Sequence, residues 1–226
     1  ALGEETRLIF CGKAVYTASY GLSQRSAKTG ALCGDSVEFF TDHSAKARLL
    51  LSDGMGAGKQ AAMDSTITVG LISRLLKAGV DFDAALKLAN SALLVKSGEE
   101  SLATVDGLEV DLYTGQAGFY KAGAAPSFII KGGRVGRVES ASLPAGILSG
   151  VSFEKSRVPL QAGDIVVLVS DGVTATGEQW VVSELAALRQ LPLPQLCEQL
   201  LQTAADRVID GHADDMTALA VRLEKA

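Results

Sequence analysis

Apolar residues along the chain fall into two rhythms. Over residues 58–77, Ala61, Ala62, Ile67, Leu71, Ile72 and Leu75 recur at spacings of about three or four. That period predicts an amphipathic helix, with Gly79 just beyond it as a stop. A second helix is predicted over 82–96, with Asp81 as its cap. Elsewhere the apolar runs are short. Strand-like stretches occupy 7–20, and 37–41 and 46–52 read as two strands joined by the polar turn Asp42, His43, Ser44. Between 103 and 170, short candidates at 105–112, 119–120, 128–130, 134–138 and 153–158 are set apart by Gly115, Gly123, Pro126, Gly132, Gly133, Pro144 and Gly163. Residues 164–170 are almost continuously apolar and predict a buried central strand. Helices at 179–189 and 194–210 follow, and 216–223 closes the chain as a strand. This is not the βαβαβ order of a doubly wound sheet. It predicts an α+β fold of two packed antiparallel sheets covered by helices, in one domain spanning 1–226.

Composition narrows the function classes. Hydrophobic residues make up 47% and charged residues 21% of 226, so the chain can build a core and is not a disordered segment. A formal net charge of −5 argues against nonspecific nucleic-acid binding, which needs clustered Lys and Arg. No apolar run approaches the roughly 18 residues of a membrane span. Cys11, Cys33 and Cys197 are widely spaced and form no CxxC pair. They predict neither a zinc site nor a disulfide framework, and they suit a reducing compartment. All three read as small hydrophobic residues. Position 1 is Ala with no signal-peptide pattern after it, which suggests a piece of a longer protein.

The candidate chemistry lies at acidic strand ends. Ser52-Asp53-Gly54-Met55-Gly56-Ala57-Gly58-Lys59 ends one predicted strand and opens a helix. It is not a P-loop: Asp53 stands where the first Gly is required, and Gln60 where Ser or Thr is required. It is not a dinucleotide fingerprint either, because Lys59 replaces the third Gly. A carboxylate at the start of such a loop repels a phosphate unless a cation lies between them. Three further segments share the form: Gly34-Asp35-Ser36, Ser170-Asp171-Gly172 and Asp214-Asp215-Met216-Thr217. An Asp at the end of an apolar strand has its backbone fixed and its carboxylate at the rim. One such Asp-Gly is an ordinary turn signature. Four together, two of them Ser-Asp-Gly, can make an all-oxygen cage suited to Mg²⁺ or Mn²⁺.

In this order the four motifs resemble those of the metal-dependent (PPM, type 2C) protein Ser/Thr phosphatases. Within them the chain is similar to the bacterial branch typified by the stage II sporulation protein E phosphatase domain. The resemblance runs from about residue 15 to 223. It includes Ala103-Thr104-Val105-Asp106, the segment Lys121-Ala122-Gly123-Ala124-Ala125-Pro126-Ser127-Phe128, and Leu143-Pro144-Ala145-Gly146-Ile147. It implies an α-β-β-α sandwich with a two-metal centre at one end, holding two Mn²⁺ or Mg²⁺ ions. By motif, Asp53 bridges both ions and the Gly54 carbonyl binds one of them. Asp171 and Asp214 hold the other, Asp35 contributes to the second, and Asp215 stands behind them. The implied reaction is direct attack of a metal-activated water on a phosphoserine, with Asp35, Asp53, Asp171 and Asp214 as the catalytic acids. The implied substrate is a phosphorylated anti-anti-sigma factor-like protein, acting in sporulation or stress signalling. The implied setting is a cytoplasmic domain of a membrane-anchored parent. The helices at 58–96 serve in the family as a regulatory switch and dimer contact, so their packing is expected to control metal occupancy.

The chain departs from many eukaryotic relatives at Met55, where they carry His directly after Asp-Gly. Only His43 and His212 are present. His43 reads as a solvated turn residue, and His212 lies close enough to Asp214 in sequence to assist. The residue that grips substrate phosphate is not identified; Arg25 and Lys28, in a polar loop before Asp35, are the candidates. Two other functions stay open at this point: a catalytically silent phosphatase-fold interaction module, and a metal-dependent hydrolase of a small phosphate ester.

Overall fold

The computed structural model describes residues 12–27, 32–55, 58–96, 102–147, 153–208 and 214–226. Cys11, Lys28, Gly56, Ala57 and His212 lie outside the described residues. In chain order the elements are β1 (Tyr16–Arg25), β2 (Asp35–Thr41), β3 (Lys46–Asp53), α1 (Lys59–Lys77), α2 (Phe82–Lys96), β4 (Val105–Asp111), β5 (Gln116–Ala122) and β6 (Ser127–Lys131). Then come β7 (Arg134–Val138), β8 (Glu154–Pro159), β9 (Ile165–Val169), α3 (Asp171–Thr174), α4 (Gln179–Leu188), α5 (Leu193–Arg207) and β10 (Met216–Lys225).

The strands form two antiparallel five-stranded sheets, ordered β1-β10-β9-β6-β7 and β2-β3-β4-β5-β8. The two-residue period of a strand explains the layers. In β9, Val166 and Leu168 enter the core between the sheets, while Ile165, Val167 and Val169 face α4 and α5. In β3, Ala47, Leu49 and Leu51 point between the sheets, and Leu50 points to α1 and α2. The result is an α-β-β-α sandwich with three apolar clusters, one under each helical layer and one between the sheets. No helix among the described residues is long and apolar enough to cross a membrane.

Three local expectations change. Helix α1 is rotated from its apolar stripe: Ile67 is 37% exposed, while Asp64, Ser65 and Thr68 are buried. Beside Asp35 its contact with β2 is made by hydroxyls, Ser36 Oγ lying 2.9 Å from both Ser65 Oγ and Thr66 Oγ1. Thr68 Oγ1 donates to the Asp64 carbonyl at 2.7 Å, so its hydroxyl is satisfied within the helix and can be buried. Arg25 is not in a loop. It ends β1, paired in register with Met216, because β1 follows β10 over its whole length. Asp171 opens a short helical turn, α3, that the sequence pattern did not predict.

Candidate active site

The acidic motifs meet at one end of the sandwich. Pairing of β2 with β3 sets Asp35 directly opposite Asp53. The Asp53 backbone is held on both sides by one residue: its N–H donates to Thr104 Oγ1 at 2.9 Å, and its carbonyl accepts the Thr104 N–H at 2.8 Å. The other sheet supplies Asp171 after β9 and Asp214 before β10. Thr217 joins the sheets, its Oγ1 donating to Asp35 Oδ2 at 2.6 Å and its N–H to Ser170 Oγ at 2.9 Å. Asp215 ties the chain entering β2, accepting the N–H of Ala27 at 2.7 Å and the N–H of Gly34.

The serines of the two Ser-Asp-Gly motifs share a task. Ser52 Oγ donates to the Thr104 carbonyl at 2.6 Å, and Ser170 Oγ to the Asp215 carbonyl at 3.3 Å. Each fixes the strand end that presents the next Asp. The repeated Ser was visible in the sequence, but its partners were not. Thr104 and Thr217 stand inside the sequence motifs, but their role as holders of the site was missed because their partners are distant in sequence.

The electrostatics agree with convergence. Burial, then the charges of Asp35, Asp171, Asp214 and Asp215, push the Asp53 carboxyl up to about 8. Burial pushes Asp35 up to about 6 against the hydrogen bonds of Thr217 and Ser170, and the Asp215 and Asp171 charges add to the rise. Asp171 is raised by burial and by Asp214, and it lies within hydrogen-bonding reach of Asp53. Like charges forced together hold protons.

All potential donors here are oxygens, a set suited to Mg²⁺ or Mn²⁺. Asp35 Oδ1 is buried without a hydrogen-bond partner, so one lone-pair set is left for a cation. Among the described residues, no three His, Cys, Asp or Glu side chains are gathered as a cation-holding group. The carboxylates instead use nearby donors, as Asp214 does with the N–H of Asp215 at 2.8 Å.

A pH dependence follows. A carboxyl whose folded pKa is raised contributes stability that is complete below its unfolded pKa and lost as pH rises through the folded one. In EDTA, the melting temperature should therefore fall from about pH 4, where the unfolded carboxyls ionise, and level off at about pH 8, once folded Asp35 (about 6) and then Asp53 (about 8) have ionised as well. Added Mn²⁺ should restore it, with a larger gain at the alkaline end. A gain independent of pH, measured by calorimetry, would contradict the electrostatic account.

The other candidates lie at different distances from the site: Arg25, opposite Met216, and Cys33 stay at the acidic end, and His43 does not. His43 lies in the β2–β3 turn, six strand residues or about 20 Å from the acidic end. Arg25 Nη1 reaches Gln202 Oε1 at 3.5 Å. Burial pushes the Cys33 thiol up to about 11, which leaves it protonated at neutral pH. Cys197 is fully buried in the core under α4 and α5.

Known proteins share this sequence pattern and this fold. The family model described as "Stage II sporulation protein E (SpoIIE)" matches residues 43–224. Stage II sporulation protein E of Bacillus subtilis (strain 168) is 31% identical over 216 residues, covering 92% of this chain and 26% of that protein. The Priestia megaterium protein of the same name is 27% identical over 220 residues, covering 95% of this chain and 37% of its own length. The chain thus spans about a quarter to somewhat over a third of the curated relatives it matches. Among solved structures, the PP2C phosphatase domain of Bacillus subtilis SpoIIE with a fragment of its regulatory domain superposes with a TM-score of 0.84 at 28% identity, covering 95% of this chain and 66% of that one. The RsbU and RsbW domains of a Mycobacterium tuberculosis protein share the fold at TM-score 0.82 and 22% identity, covering 94% and 61%.

Proposed function

The chain belongs to the stage II sporulation protein E family, as a PP2C-type, metal-dependent protein phosphatase domain, and we propose that it hydrolyses phosphoserine on a small regulatory protein of the anti-anti-sigma factor type. The observation that carries this reading is the meeting of Asp35, Asp53, Asp171 and Asp214, drawn from both sheets, in which burial and neighbouring carboxylates raise the proton affinities of Asp35, Asp53 and Asp171. The all-oxygen chemistry of this set suits Mn²⁺ or Mg²⁺, two ions in this reading, whose binding would draw the carboxylates together. Asp53 and the Gly54 carbonyl would hold one, Asp171 and Asp214 would hold the other, and Asp35 would offer its unpartnered Oδ1. When bound, the ions supply a water of lowered pKa and a positive clamp for the phosphoryl oxygens. The protein's part is placement. Thr104 fixes the Asp53 backbone, Thr217 and Ser170 orient Asp35, and Asp215 anchors the segment leading into β2. The protonated Cys33 thiol does not compete as a nucleophile.

The α1–α2 pair is proposed as a homodimer contact. The exposed apolar side chains of Met63, Ile67, Leu88 and Val95 support that reading.

The test is hydrolysis of p-nitrophenyl phosphate against added Mn²⁺, with and without EDTA, beside a phosphoserine-bearing anti-anti-sigma factor. Turnover that needs Mn²⁺ and is far faster on the phosphoprotein is expected. Equal rates on both substrates would favour a small-ester hydrolase. No turnover on either would leave a binding module.

A further inference from the structure

A charged trio lies buried just beneath the acidic end. Lys121 Nζ is 2.7 Å from Asp106 Oδ2 and donates to Ser127 Oγ at 2.7 Å, and Ser127 Oγ donates to Asp106 Oδ2 at 2.7 Å. Asp106 and Lys121 are each 1% exposed and Ser127 is fully buried. None of the three belongs to the acidic strand-end motifs.

Their placement ties the two sheets together. Asp106 on β4 and Lys121 on β5 face each other in register, and Asp106 also faces Leu51 on β3. Ser127 opens β6 in the other sheet, beside β9. Strand β3 delivers Asp53, and β9 leads into Asp171. The trio therefore joins the neighbour of one half of the site to the neighbour of the other. Asp106 also lines a cavity of about 20 Å³ whose other walls include Asp53, Thr104, Ser170 and Asp171. Asp106 Oδ1 is buried without a hydrogen-bond partner. The cavity has room for one water and is polar enough to hold it.

Stability alone does not account for such a trio. Taking an ion pair out of water costs much of what its attraction returns, and apolar replacements of similar size are often as stable. The pair is also neutral overall, so it adds no net charge to a crowded acidic site.

We propose that Asp106, Lys121 and Ser127 form an inter-sheet clasp that positions Asp53 against Asp171, with a water bridging Asp106 Oδ1 to the site acids. All three are positioning residues. This rests on the metal-dependent phosphatase reading, and the test separates the two.

The experiment compares the parent with Asp106→Leu/Lys121→Met/Ser127→Ala, which removes every polar member at once. It measures melting temperature in EDTA, Mn²⁺ affinity by electron paramagnetic resonance of the free ion, and p-nitrophenyl phosphate kinetics. The triple variant should melt at or above the parent's temperature. Its Mn²⁺ affinity should fall by about 10–100-fold, and kcat should fall while KM stays within about two-fold. A folded triple variant with the parent's Mn²⁺ affinity and kcat overturns the clasp. If the triple variant does not fold, Ser127→Ala decides, because it keeps both charges and cuts only the link to β6. Mn²⁺ affinity about 10-fold weaker supports the clasp, and parental affinity overturns it. A parent that neither binds Mn²⁺ nor turns over overturns the phosphatase reading and the clasp with it.

Discussion

Replacing Asp53 by Asn should abolish Mn²⁺-dependent hydrolysis and, at pH 8, make the metal-free protein more stable. Both effects have one source. Asp53 sits among Asp35, Asp171, Asp214 and Asp215, and burial followed by their charges pushes its carboxyl up to about 8. Below its unfolded pKa the group is neutral in both states and nothing is lost. As pH rises, the unfolded chain ionises freely while the folded chain resists, so stability drains until the folded pKa is passed. Asn mimics the protonated carboxyl at every pH and removes that drain. Asp53 is only partly buried, so solvent screening reduces the full linkage energy to about 2 kcal/mol. For a domain of this size that is about 5 °C in melting temperature. Thr104 holds the Asp53 backbone rather than its carboxylate, so these anchors survive the change. The amide brings no charge to a cation, and turnover should fall by about 10³-fold, the scale of several kcal/mol of transition-state stabilisation. Retained activity in saturating Mn²⁺, or a lower melting temperature in EDTA at pH 8, would sink the assignment.

What the sequence made legible is what strand and turn chemistry write locally. The run 165–169 must be a buried strand because all five positions are apolar. The acids could be found because each stands at a strand end beside Gly or a second Asp. What stayed hidden depends on contacts between distant segments. Thr217 is 182 positions from Asp35, and Ser127 is 21 from Asp106, with no motif joining either pair. The stripe on α1 misled for a physical reason. Ser65 and Thr68 satisfy their hydroxyls within the helix or against Ser36, so the helix can bury polar residues and leave Ile67 outside. Arg25 read as a loop residue because its neighbours are polar. Full-length pairing with β10 keeps it in β1.

That hydroxyl-lined seat of α1 matters for a second large effect. Gly54→Ala should shift the first turn of α1 and destroy the site, whereas Gly58→Ala, four residues on, should leave turnover intact. A Cβ on residue 54 lies 1.9 Å from the Ala61 carbonyl oxygen and 2.5 Å from its carbon, both backbone atoms that no side-chain rotation can clear. The sheet cannot yield easily. Gly54 bridges to Ala103, and Met55 N–H donates to the Leu102 carbonyl at 2.9 Å. The helix must move, and its hold on β2 at this level is the Ser36 hydroxyl pair rather than interlocked apolar side chains. Overpacking of this kind costs about 1–3 kcal/mol. The same displacement drags on the Gly54 carbonyl and on Asp53 beside it, so Mn²⁺ affinity should fall more than about 10-fold and kcat with it. Gly58 is the contrast: a Cβ there meets nothing within 4 Å, but its φ of 78° is left-handed. Ala at 58 should cost about 1–3 kcal/mol of stability, because a φ of 78° with a ψ of −145° suits glycine alone, with Mn²⁺ affinity near that of the parent. If Gly54→Ala binds Mn²⁺ as the parent does, the position of α1 and the acidic site are mechanically independent. If both variants lose metal equally, the effect does not run through the contact between residue 54 and Ala61.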